Sequence, residues 1–175
     1  ESLLTRLVRY SDNAASEMLR AYLDVLMFPH AIDEVYRGLG LVPKEGNGDY
    51  VISVKRYASI FRILYNASYL SVEMSEKALQ MLSTSAFDVG LVAGVPEGTV
   101  VAHKFGERSV APSEQSREPI KQLHDCGIVY FPDNPYVLCV MTLGTDFAKL
   151  ETILSDISRM VYSEVQSRVL PEEKR

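Results

Sequence analysis

The sequence predicts an α+β fold in which helices pack on an antiparallel sheet. Three observations carry this. Apolar residues recur at helical spacing through the first half of the chain. Three runs rich in β-branched and aromatic residues follow, at 99–107, 126–131 and 136–142. From about residue 146 the helical spacing returns. The 175 residues are one domain's worth of chain, with 1–98 mainly helical and 99–175 holding the strands and a terminal helix. A domain of this size buries roughly 70% of the surface of its unfolded chain, so a core forms without staples.

In order, the opening residues Ser2 to Val8 read as a helix turn, so the sequence is expected to begin inside an element, cut from a longer protein. Ala15, Met18, Leu19, Tyr22, Leu23 and Leu26 follow i, i+3, i+4 spacing and predict an amphipathic helix over 14–27. Ser11-Asp12-Asn13 stands before it, where short polar side chains cap exposed amides. A short helix is predicted over 31–38, then a polar loop from Pro43 to Asp49. Ser53 caps a helix that buries Val54, Tyr57, Ala58, Phe61, Leu64 and Tyr65. Another starts near Ser71 and carries Met74, Ala78, Met81 and Leu82. The last helix buries Phe147, Leu150, Ile153, Leu154, Ile157 and Val161.

Composition excludes several functions. Lys and Arg number 18 against 23 Asp and Glu, a net charge of −5 with no basic run, which argues against nucleic acid and anionic membranes as partners. No apolar run reaches the length of a membrane span. If Asp133-Asn134-Pro135 turns a hairpin, Cys126 stands opposite residue 142 and away from Cys139, which argues against a disulfide. His124 and Cys126 share one strand face, but no third ligand is spaced for a metal, so His103, His124 and Cys126 read as structural. Asn66-Ala67-Ser68 matches a glycosylation sequon and reads as a helix end.

Two motifs carry chemistry: Ser11-Asp12-Asn13 at a helix start and Lys104-Phe105-Gly106 on a strand. Taken alone, the first is an N-cap and the second a solvated strand lysine. Together, in this order and these settings, they resemble the second and third active-site motifs of the penicillin-recognising serine hydrolases. These are the class A β-lactamases and the penicillin-binding D,D-peptidases. The likeness extends from Tyr10-Ser11-Asp12-Asn13-Ala14-Ala15 through the strand at 99–107, two further strands and the terminal helix, covering the latter two-thirds of that domain. The implied fold is β-lactamase/transpeptidase-like and incomplete at its N-terminus.

The resemblance implies roles. The Ser11 hydroxyl relays a proton to the leaving amine, and the Asn13 amide binds the substrate's acylamino carbonyl. Asp12 ties down the turn. Lys104 places an ammonium near Ser11 and attracts the substrate carboxylate, so the two side chains are expected within hydrogen-bond reach. Phe105 lies where that carboxylate is received. Gly106 leaves the strand open to the substrate backbone, and the amide of Glu107 supplies one oxyanion donor. No cofactor or metal is implied. The substrate is a small-molecule β-lactam or a cell-wall peptide, and the compartment is periplasmic or extracellular. N-terminal strands of the family pair with the strand equivalent to 136–142, which is therefore expected to present an open edge.

Three departures qualify these roles. The sequence contains no Ser-x-x-Lys or Thr-x-x-Lys, so the family's nucleophile and base lysine are expected upstream. Phe105 replaces the usual Thr or Ser and removes a hydroxyl from carboxylate recognition. The 41–52 loop has no Glu-x-x-Leu-Asn segment, and Glu45 is its only glutamate, so deacylation lacks its usual base. A D,D-peptidase and a catalytically inactive cell-wall-binding module on the same fold remain open beside the β-lactamase reading. The polar segment from Glu107 to Leu123 reads either as a solvated excursion or as a rim of the site.

Overall fold

Short polar caps set the helix boundaries in the computed structural model, which describes residues 2–26, 31–39, 52–112 and 118–169. Ser2 caps α1 (Leu3–Tyr10) by accepting the Thr5 N–H at 3.2 Å. Asp12 caps α2 (Asn13–Val25), and α3 spans Ala31–Gly38. Ser53 caps α4 (Val54–Tyr65) and Ser71 caps α5 (Val72–Leu82), each accepting a backbone N–H three residues on. Asn66 ends α4 and Ala67 takes φ +47°, so the sequon segment is the helix end expected of it. The terminal helix, α6, runs Phe147–Val169. The polar loop of 43–49, and Glu45 with it, lies outside the described residues.

The strands are β1 (Val101–Val110), β2 (Ile120–Val129) and β3 (Tyr136–Gly144), antiparallel in the order β1-β2-β3. All three differ from the sequence expectation, β3 only by running two residues past 142. β1 starts two residues later and runs three further, and β2 starts six residues before 126. Lys121, Gln122, His124 and Asp125 hide the start of β2 from a hydrophobicity reading, yet each has a cross-strand partner on β1. The long polar excursion accordingly shrinks to 111–119, of which 113–117 lie outside the described residues.

The hairpin register overturns the cysteine expectation. The turn closes at Phe131–Asn134, where the Asn134 N–H donates to the Phe131 carbonyl at 3.0 Å and Asp133 takes φ +58°. Pro135 lies outside it. Centring the turn earlier in the chain sets Cys126 directly opposite Cys139. Their Cα atoms are 4.0 Å apart, and a disulfide joins them.

Helices cover both faces of the sheet. Alternation puts Ala102, Cys126 and Ile128 against Phe61 of α4 and Leu79 of α5. The other face sets Leu123 against Leu150 and Leu154 of α6, and Val101 and Val129 against Leu91. Several residues expected in the core are exposed: Val54 and Tyr65 at the two ends of α4, Met74 in the first turn of α5, and Ile153 beside the Leu150–Leu154 stripe. On α2, Ala15 is buried, but Met18, Tyr22 and Leu26 are 54%, 60% and 45% exposed, so the apolar stripe lies open. Among the described residues β3 pairs with β2 alone, which leaves the open edge expected of it. No helix among the described residues is long and apolar enough to cross a membrane.

Candidate active site

The α1–α2 junction presents the first motif as two caps rather than one. Ser11 closes α1 in the left-handed conformation, φ +56°, and its N–H donates to the Arg6 carbonyl. Asp12 then opens α2, its Oδ1 accepting the Ala15 N–H at 3.0 Å. Its Oδ2 accepts from Arg6 Nε at 2.9 Å and Nη2 at 2.5 Å. The Ala15 N–H first, and the Arg6 guanidinium second, hold the Asp12 carboxyl below the usual carboxylate range. Asp12 thus ties the turn from both sides, as its sequence reading requires. Asn13 is the first residue of α2 and is exposed.

Lys104 reaches this junction from β1. Its Nζ donates to Ser11 Oγ at 2.6 Å and to the Phe105 carbonyl at 2.8 Å, and lies 4.5 Å from the centroid of the Phe105 ring. The two motifs, 93 positions apart in sequence, therefore meet as expected. Burial pulls the Lys104 amine down to about 8, against an opposing pull from the Asp125 carboxylate. The Tyr57 hydroxyl of α4 donates to the Lys104 carbonyl at 2.8 Å and fixes the strand from that side. Burial raises the Tyr57 phenol well above its ordinary range, so it stays a donor.

The Phe105 ring stacks on Phe87, with centroids 4.3 Å apart and planes 13° from parallel. It faces a ring and an ammonium where a hydroxyl would offer a hydrogen bond. Around Gly106 a Cβ would meet no atom within 4 Å, so the strand is open beside the pair. Glu107 is exposed.

Behind β1, His103 Nδ1 lies 2.8 Å from Asp125 Oδ1, and Asp125 Oδ2 accepts the Leu91 N–H at 2.9 Å. His103 is thus buried and bonded, in line with its structural reading. His124 Nδ1 accepts the Thr142 N–H at 3.3 Å, and burial lowers its imidazole below the ordinary value. Cys126, taken up in the disulfide, has no thiolate to offer a metal. Among the described residues no three His, Cys, Asp or Glu side chains gather at one point.

Sequence reasoning missed Arg6, Tyr57, Phe87 and Asp125. Asp125 left a signal, an acid just before the apolar run that starts at Cys126, but reading it needs the register that sets it beside His103. Tyr57 left none, because a tyrosine on a core-facing helix stripe reads as packing.

The sequence model of the β-lactamase enzyme family matches residues 1–165. The chain belongs to the β-lactamase enzyme family. Solved structures of similar fold include PBP-A, at 20% identity and TM-score 0.74, covering 94% of this chain and 60% of that one. A β-lactamase from Chitinophaga pinensis DSM 2588 matches at 19% identity and TM-score 0.72, over 93% of this chain and 64% of that one. TLA-3 extended-spectrum β-lactamase matches at 18% identity and TM-score 0.72, over 93% and 63%. This β-lactamase-family chain therefore spans less than two-thirds of the length of those structures. No curated protein matches it significantly.

Proposed function

We propose that this chain supplies the Ser11–Lys104 part of a serine hydrolase site that opens the amide bond of a β-lactam through an acyl-serine intermediate. The observation that carries the reading is the 2.6 Å bond from Lys104 Nζ to Ser11 Oγ. A serine from a segment outside these residues attacks the carbonyl. A base lysine of that same segment takes the attacking serine's proton. As the C–N bond breaks, Ser11 passes its own hydroxyl proton to the leaving nitrogen and regains one from that lysine, while the Lys104 ammonium stabilises the oxygen in between. Asn13 binds the acylamino carbonyl, the Glu107 amide donates to the oxyanion, and Gly106 leaves room for both. The open stripe of Met18, Tyr22 and Leu26 on α2 supports this, because a helix laid there would run beside Ser11.

With no Glu-x-x-Leu-Asn segment in the sequence, the acyl-enzyme of the full-length protein is long-lived. The compartment is periplasmic or extracellular, a reading favoured by the Cys126–Cys139 disulfide, which persists in oxidising surroundings. Phe105 favours a second reading, an inactive cell-wall-binding module, since the carboxylate loses a hydroxyl partner. A fluorescent penicillin separates the two. Covalent, stoichiometric labelling of the full-length protein, lost in Lys104→Ala, supports the hydrolase. Reversible binding to peptidoglycan with no label supports the module.

A further inference from the structure

The Asp125 carboxylate is 0% exposed, and it is bonded to the Leu91 N–H and the His103 ring. Room for it is built into the chain: a Cβ at Gly90 would run into Asp125 Oδ2 and the Phe87 ring, so only a glycine lets the 88–91 segment pass this close. A buried carboxylate is costly unless a positive charge lies near it. His103, which it bonds, immediately precedes Lys104 on β1, and Phe105, the β1 residue directly opposite Asp125, carries the carbonyl that Lys104 Nζ bonds.

We propose that Asp125 is a positioning residue for the site: its buried negative charge, aimed through the His103–Phe105 stretch of β1, holds Lys104 as the ammonium that faces Ser11. The consequence for acylation rests on the role given to Lys104 above.

Among the described residues the other charged groups packed around Lys104 are exposed or bonded elsewhere, and His103 is bonded to Asp125 itself. From the α1–α2 junction Lys104 meets the neutral Ser11 hydroxyl, while Arg6 and Asp12 are bonded to each other. From α4 it meets the Tyr57 hydroxyl, and the remaining charged groups of that helix, Lys55, Arg56 and Arg62, are exposed. On α5 the charges of Glu73, Glu76 and Lys77 are likewise exposed. On β1 itself Glu107 and Arg108 are exposed, and on β2 His124 is half-buried with its Nδ1 on Thr142. The direction agrees with this, since the Asp125 charge opposes the burial that pulls Lys104 down.

The test follows the Lys104 amine by NMR titration in the full-length protein. In Asp125→Asn, which keeps the shape and an acceptor but removes the charge, the Lys104 midpoint falls by about one unit. The alkaline limb of the acylation pH profile moves with it, and Asp125→Glu restores both. His103→Asn, which keeps a donor to Asp125, leaves the midpoint where it was. A role confined to holding β1, β2 and the 88–91 segment together would lower stability and leave the midpoint unmoved in Asp125→Asn, and that result overturns the inference. Should Asp125→Asn fail to fold, the unsubstituted protein decides, because linkage is reciprocal. The Asp125 carboxyl carbon shift must move with the Lys104 titration, and a flat response overturns the inference as well. The titrations need no turnover, so a protein that takes no penicillin yet shows the shift contradicts the proposed function alone.

Discussion

Ser11 holds a backbone conformation that serine adopts at a cost of about 1–2 kcal/mol, because its Cβ crowds the following carbonyl. The sequence made the polar tripeptide legible, but not that Ser11 closes one helix while Asp12 opens the next. That division depends on Arg6, which bonds Asp12 from the preceding turn. Ser11→Gly is expected to relieve the strain and raise stability by about 1 kcal/mol, read by chemical denaturation, while acylation of the full-length protein collapses. The same residue scale sets a pH dependence. Burial favours the neutral Lys104 amine, so the folded protein holds this proton less tightly than the unfolded chain, whose lysine titrates near 10.5. The penalty is fully present below about pH 8 and is relieved as pH rises from there toward 10.5, so this group adds stability in that window. On the role proposed for Lys104, the anchor for a substrate carboxylate is lost over the same range. KM for a carboxylate-bearing β-lactam is therefore expected to rise above pH 8, and a pH-independent KM would contradict it. Phe105→Thr is expected to speed acylation by restoring a hydroxyl, with deacylation unchanged.

At the scale of elements, periodicity located the two helices for which it set both ends, α2 and α3, to within two residues, and a short polar cap marks the start of α2, α4 and α5. Strands were less legible. The start of β2 is polar, and its place comes from pairing with β1, which a sequence read element by element does not contain. The turn error had the larger consequence, since it separated two cysteines that the true register places face to face. Their sequence separation of 13 gives the disulfide an expected contribution of about 3 kcal/mol, through the conformations it denies the unfolded chain. Replacing both cysteines by alanine is expected to lower the denaturation midpoint accordingly, and an unchanged midpoint would show that the link adds nothing. The short 3-10 turn Val92–Gly94 fits against α6 only because Gly94 has no side chain: a Cβ there would strike the Ser155 carbonyl and Ser158. Gly94→Ala is expected to cost about 1–3 kcal/mol by forcing that contact apart.

The molecule as a whole sandwiches a three-stranded sheet between α4 and α5 on one face and α6 on the other, and sets the first motif at the rim of β1. That layout was legible, because the order of helices, strands and terminal helix admits few arrangements. The pairing of Ser11 with Lys104 was legible only through family resemblance, since nothing local links two residues 93 positions apart. The residues around them, Tyr57 and Asp125, became visible with the fold. Among the described residues the apolar α2 stripe and the outer edge of β3 remain open. The 175-residue chain alone, which holds no Ser-x-x-Lys, is expected neither to hydrolyse a chromogenic cephalosporin nor to gain a penicilloyl group by mass spectrometry. The central claim is that Ser11, bonded to Lys104, carries a proton to the leaving nitrogen. Its most direct test is the pre-steady-state burst of the full-length protein with a chromogenic cephalosporin, compared with that of Ser11→Ala. The account predicts a burst followed by slow turnover, and an acylation rate about 10² to 10⁴ lower in the variant. A burst of equal rate in the two proteins would contradict it.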